Sequence, residues 1–196
     1  MAMTQLANSL FVANHFEDAS SVQEAQLSML RRVGASEGRI LCVQGNLATT
    51  YHLLGRYEEA VSMRRDVYSG TLNLLGAENV QTLHEAYNIA QLFVSLGRLE
   101  EAKRYSRSMM GAARRVLGEG HDLTLRMRLL YAQTLYCDKD ASLDDLREAV
   151  TTLAEIEPTA RRVLGGAHPN VRSMEVSLQQ ARVLLRARES PPPGTA

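Results

Sequence analysis

Gly55-Arg56-Tyr57-Glu58-Glu59-Ala60 returns as Gly97-Arg98-Leu99-Glu100-Glu101-Ala102, displaced by 42 residues. Leu75-Gly76 returns as Leu117-Gly118 and Asn46-Leu47-Ala48 as Asn88-Ile89-Ala90, both at the same displacement. Three separate blocks at one offset make this a tandem repeat, and a repeat dictates the architecture before any single element is read. Fainter copies lie on both sides. Asn14-His15-Phe16-Glu17-Asp18-Ala19 precedes the Gly55 block by 41 residues, and Val33-Gly34 precedes Leu75-Gly76 by 42. Downstream, Val116-Leu117-Gly118 returns as Val163-Leu164-Gly165 after 47 residues, which places an insertion of five residues near Cys137 to Asp145.

Each period reads as two helices. From about Arg39 to Leu54 the apolar residues Leu47, Ala48, Tyr51 and Leu54 follow helical spacing. Gly55 ends that stretch as a residue tolerant of left-handed backbone. Glu58 and Glu59 suit the positive end of a second helix running to about Leu75. No stretch alternates with the period of a strand. Ala48, Ala90 and Ala132 recur on first helices, and Ala60, Ala102 and Ala149 on second ones. Small side chains there let neighbouring helices approach. One hairpin cannot bury its own apolar face, so successive hairpins must cover each other. The expected repeat domain is 1–187, with units at about 3–35, 36–78, 79–120 and 121–167. A closing helix follows at 168–188, and a disordered Pro-rich tail at 189–196. Pro158 is expected to kink a second helix spanning about Leu143 to Leu164.

Composition narrows the function. Lys and Arg number 22, as do Asp and Glu, so the chain lacks the basic excess of a general nucleic-acid binder. No apolar run is long enough to span a bilayer and the first residues are no signal peptide. Two cysteines cannot form a disulfide framework, which fits a reducing, cytoplasmic setting. Cys42 and His52 are the nucleophile and base worth naming, but ten residues along one helix separates them by about 15 Å, so no enzyme is expected. His121, His168 and Asn79 share one repeat position and fit helix starts better than metal ligands, Pro169 lying just inside the last helix. Asp138, Asp140 and Ser142 have the opening spacing of a calcium loop. Leu143 replaces its turn glycine, however, and Ala149 its final glutamate, so no metal or cofactor is expected. Ser142 and Asp145 instead form a capping box. Arg31-Arg32, Arg114-Arg115 and Arg161-Arg162 read either as a stripe for acidic partners or as cations at helix C-termini, the second needing only local structure.

The ordered signature of Leu-Ala, an aromatic, Gly-Arg-Tyr-Glu-Glu-Ala and Leu-Gly resembles the tetratricopeptide repeat, in the 42-residue variant found in kinesin light chains. The resemblance implies an all-α fold, a right-handed superhelical solenoid of antiparallel helix pairs whose first helices line a concave groove. It also implies a protein–protein interaction scaffold that holds a partner peptide or helix there without catalysis. On the family's pattern the groove residues are Asn46, His84, Tyr87, Asn88, Gln91, Arg126, Gln133 and Tyr136, the two tyrosines serving as flat apolar contacts. Leu130 departs from the pattern at the position of Asn46 and Asn88. The alternative is a structural element that stacks end to end on itself or on a larger array. Apolar Leu6, Leu10 and Phe11 on the first helix favour that reading, with a homodimer through end helices as its consequence.

Overall fold

The computed structural model describes residues 2–190. Among them are nine α-helices and no strand. They are α1 (Ala2–Val12), α2 (Phe16–Arg32), α3 (Glu37–Leu53), α4 (Tyr57–Leu75), α5 (Val80–Ser95), α6 (Leu99–Leu117), α7 (Asp122–Tyr136), α8 (Leu143–Leu164) and α9 (Pro169–Glu189). The chain divides into two compact units, 1–92 and 93–196, with α5 running through the division. Glu189 closes α9; residues 191–196, on which most of the expected tail falls, lie outside the described residues.

In the first unit α1 packs on α2, α2 on α3 and α3 on α4. The repeated Gly-Arg-aromatic/Leu-Glu-Glu block explains itself here. Gly55 has φ +75°, letting Arg56 N–H reach back to the Tyr51 carbonyl at 2.9 Å and close the helix C-terminus. Arg56 then stacks over the Tyr51 ring, 3.8 Å from its centroid, and pairs with Glu59. Tyr51 donates its hydroxyl proton to Glu24 at 2.9 Å, and burial with that carboxylate raises the phenol's pKa. Asn14 holds the equivalent place in the fainter first copy and, among the described residues, is the non-glycine residue with positive φ, +61°. Short polar side chains visit that region at modest cost, which is why Asn can stand in for Gly.

In the second unit α6 packs on α7, α7 on α8, and α9 on both α8 and α7. Arg98 repeats the elbow, lying 4.9 Å from the Phe93 ring centroid and bonded to Glu101. The core comprises Leu125, Leu129, Tyr131, Leu135, Leu146, Leu153, Ile156, Val171 and Met174 with the alanines between them. Each fully buried aliphatic chain is worth roughly 1.5–3 kcal/mol. The recurrent alanines are all sealed: Ala60, Ala90, Ala102, Ala132 and Ala149 have no exposed surface and Ala48 has 1%.

The helix starts follow the sequence. His121 Nδ1 accepts from Leu123 N–H and His168 Nδ1 from Asn170 N–H, each at 3.2 Å. Asn79 Oδ1 accepts from Gln81 N–H at 2.8 Å. The inserted segment ends in the capping box: Asp145 N–H donates to Ser142 Oγ at 3.0 Å and Ser142 N–H to Asp145 Oδ2 at 3.2 Å. Lys103 on α6 adds a 2.9 Å contact to the same carboxylate. These bonds, Ser142 first, pull the Asp145 carboxyl down to about 2. α8 continues as helix through Pro158, an exposed position.

Candidate functional site

Five of the expected groove residues, Asn46, His84, Tyr87, Asn88 and Gln91, lie in the first unit. On α3, Asn46 and Thr49 are three residues apart and share a face. On α5, His84, Asn88 and Gln91 do likewise, with Glu85 beside them. Asn46, His84 and Gln91 are exposed, and Asn88 is half-buried with its amide 3.5 Å from Glu85 Oε2.

The residue that ties these helices together comes from a second helix. Arg64 on α4 donates to Thr49 Oγ1 on α3 at 2.5 Å and to Glu85 Oε2 on α5 at 3.1 Å. Its side chain is 12% exposed and that of Glu85 16%. Burial lowers the arginine's pKa while Glu85 opposes the shift; a guanidinium still stays charged at neutral pH. Gly45 makes the passage: a Cβ there would sit 3.4 Å from Arg64 Nη1. The pair therefore presents a neutralised cation and carboxylate beside Asn46 and Asn88, giving hydrogen-bonding capacity without net charge.

Sequence reasoning missed Arg64, although a signal existed. Gly45 and Arg64 correspond in later copies to Tyr87 and Ser106, then to Leu129 and Leu153. Where the first-helix residue is smallest, the second-helix residue is longest.

The same comparison corrects Tyr87. It occupies the Gly45 position, facing the packing side of the helix, and is 8% exposed. It is a core residue and offers no flat face to a partner.

In the second unit Arg126 is half-buried and 3.6 Å from Asp122, which accepts the Asn170 amide at 2.7 Å across α7 and α9. Gln133 is half-buried. Tyr136 is 7% exposed and donates to Gln180 Oε1 at 3.3 Å, so it too is a packing residue rather than an open contact. Burial pushes the neighbouring Cys137 thiol up, which makes it a poor nucleophile. Among the described residues no group of three His, Cys, Asp or Glu side chains could hold a metal ion, and no helix is long and apolar enough to cross a membrane.

The tetratricopeptide repeat family matches residues 43–80 and 86–122, the two copies in which the 42-residue offset is clearest. Those two stretches are similar to tetratricopeptide repeats. The chain's fold is that of repeats of the kinesin light chain kind, an all-α tetratricopeptide-type solenoid. A point variant of nearly identical TPR-like repeats, from a Podosopora anserina protein classed as a kinesin light chain, matches with TM-score 0.80 and 19% identity. The match covers 96% of this chain and 87% of that one. The parent repeat structure from the same organism gives TM-score 0.72 at 18% identity, covering 97% and 96%. BtubC (BKLC) from P. vanneervenii gives 0.63 at 15% identity, covering 99% and 82%. Among proteins of curated function, none matches this sequence. Tetratricopeptide repeats generally mediate protein interactions, and proteins built from them are typically non-catalytic scaffolds.

Proposed function

We propose that this protein is a cytoplasmic interaction scaffold, without catalysis, that holds an extended peptide or short helix of a partner protein along its first helices. The units at about 3–35, 36–78, 79–120 and 121–167, closed by 168–188, would each present a first-helix strip of this kind. The reading rests chiefly on the first unit: Arg64 fixes Thr49 against Glu85 and leaves Asn46, His84, Asn88 and Gln91 beside a charge-balanced pair. Such a row can satisfy a peptide backbone, whose N–H and C=O groups want neutral donors and acceptors. In the second unit Arg126 and Gln133 contribute in the same way. Selection from a peptide-display library, repeated with Asn46→Ala/Asn88→Ala, tests it. Selected peptides should weaken at least about tenfold on the double variant, a loss of roughly 1.4 kcal/mol. An unchanged selection removes the assignment.

A second reading is favoured by one feature of α1. Leu6 is 52% exposed, whereas its repeat counterpart Leu47 is 1% exposed. An uncovered apolar end helix suits stacking on another copy or on a larger array. Light scattering showing a stable dimer, lost in Leu6→Glu, would establish that role.

A further inference from the structure

We infer that α9 is a docking surface for an acidic amphipathic helix of a partner protein; this goes beyond the surface assigned in the proposed function. Every earlier first helix in the chain is followed by a second helix whose first turn is acidic: Glu17-Asp18, Glu58-Glu59, Glu100-Glu101 and Asp144-Asp145. α9 is a first helix by its His168 start and has no such partner among the described residues. Its outward side carries Val176, Val183 and Leu184, 54%, 58% and 43% exposed.

The surface beside them is concave. A cleft of about 660 Å³ runs between α9 and the inserted elbow, with Ala141, Leu146, Val183 and Leu184 as its aliphatic wall. On α9 it extends from Gln179 to Arg188, which is about 14 Å of helix. That shape takes the aliphatic stripe of a helix lying alongside.

Charge chooses the class of helix. α9 contains Arg172, Arg182, Arg186 and Arg188, and both of its acids are already engaged by α8: Glu175 by Arg161, and Glu189 by Arg147 at 3.0 Å. Arg172, Arg182 and Arg186 make no ion pair among the described residues. Lys139 and Arg188 add to the cleft's basic rim, against Asp138 alone. The α1 helix of a second copy fits poorly, because α1 (AMTQLANSLFV) carries no charged side chain to meet these arginines.

The test uses the full chain and a fluorescein-labelled peptide of about four helical turns, with a leucine stripe flanked by glutamates. A lysine-for-glutamate counterpart serves as control. The glutamate peptide should bind, and the lysine peptide at least about tenfold more weakly, with the difference shrinking in high salt. Arg182→Glu/Arg186→Glu and, separately, Val183→Asp should each weaken the glutamate peptide at least about tenfold without altering the helical circular dichroism. Asn46→Ala/Asn88→Ala should leave it unchanged, so failure of the first-helix reading and failure of this one are distinguishable. No binding, or equal binding of both peptides, overturns the proposal. So does a dimer that Val183→Asp converts to monomer, which gives the surface to a second copy. Tighter peptide binding after removal of residues 191–196 would likewise overturn it, giving the cleft to the chain's own tail.

Discussion

Two glycines inside helices should respond in opposite ways to the same added methyl group. Ala ordinarily stabilises a helix interior over Gly by about 1 kcal/mol. At Gly111 on α6 nothing opposes that gain: an added Cβ meets only Arg115 Nη1 at 3.5 Å, and the site is exposed. Gly111→Ala should stabilise by about 0.5–1 kcal/mol. At Gly70 on α4 the Cβ would lie 2.7 Å from Leu41 Cδ2 and 3.1 Å from Cδ1. Leu41 is 6% exposed and has little room to turn away. Overpacking costs roughly 1–3 kcal/mol, enough to cancel or exceed the propensity gain. Gly70→Ala should therefore come out between neutral and about 2 kcal/mol destabilising. The cause is separable by a cycle. Leu41→Ala alone costs about 2–5 kcal/mol. In its background Gly70→Ala should turn stabilising, a coupling of about 1–3 kcal/mol. Urea unfolding followed by circular dichroism, with hydrogen exchange of α4 and α6 amides to resolve local stability, supplies the numbers. A Gly70→Ala variant as stabilised as Gly111→Ala, or an additive cycle, would refute the steric argument.

Asp145→Asn should lose a helix cap and the Lys103 contact, about 1 kcal/mol at neutral pH. Because the Asp145 carboxyl is depressed to about 2, its stabilisation is full above the unfolded-chain value near 4 and fades as pH falls. Wild-type and variant melts should converge by about pH 2. Glu85→Ala strands the Arg64 guanidinium and should cost about 3 kcal/mol, whereas Arg64→Met/Glu85→Leu should lie within about 1 kcal/mol of wild type by urea titration. Asn14→Ala forces a methyl-bearing residue to hold φ near +61° and should cost about 1–2 kcal/mol, with Asn14→Gly close to neutral in the same assay.

The helices and elbows were legible in the sequence because local chemistry specifies them. Gly55 and Gly97 mark left-handed turns, Ser142 and Asp145 a cap, and Ala60, Ala102 and Ala149 sealed contacts, each recognisable within a few residues. The expectation placing α8 at Leu143 to Leu164 coincides with the observed helix. The site was less legible because it depends on which side of a helix meets a neighbour. The family's pattern offers Tyr87 as a flat groove contact, yet a turn of 100° per residue from Asn88 puts it against the core. Arg64 escaped notice because its meaning requires Gly45 on one helix and Glu85 on another, 19 and 21 residues away. Local periodicity carries no such information; only the exchange of sizes between Gly45/Arg64 and Tyr87/Ser106 does.

Arg64 belongs to α4, a second helix, and Gly45 opens a window through which its charged head reaches Thr49 on α3 and Glu85 on α5. The first and second helices of this unit are thus chemically continuous at this point. A comparison of α3 and α5 alone would overlook a link rooted in α4. An exchange at residue 64 on α4 would therefore change what α3 and α5 present beside it.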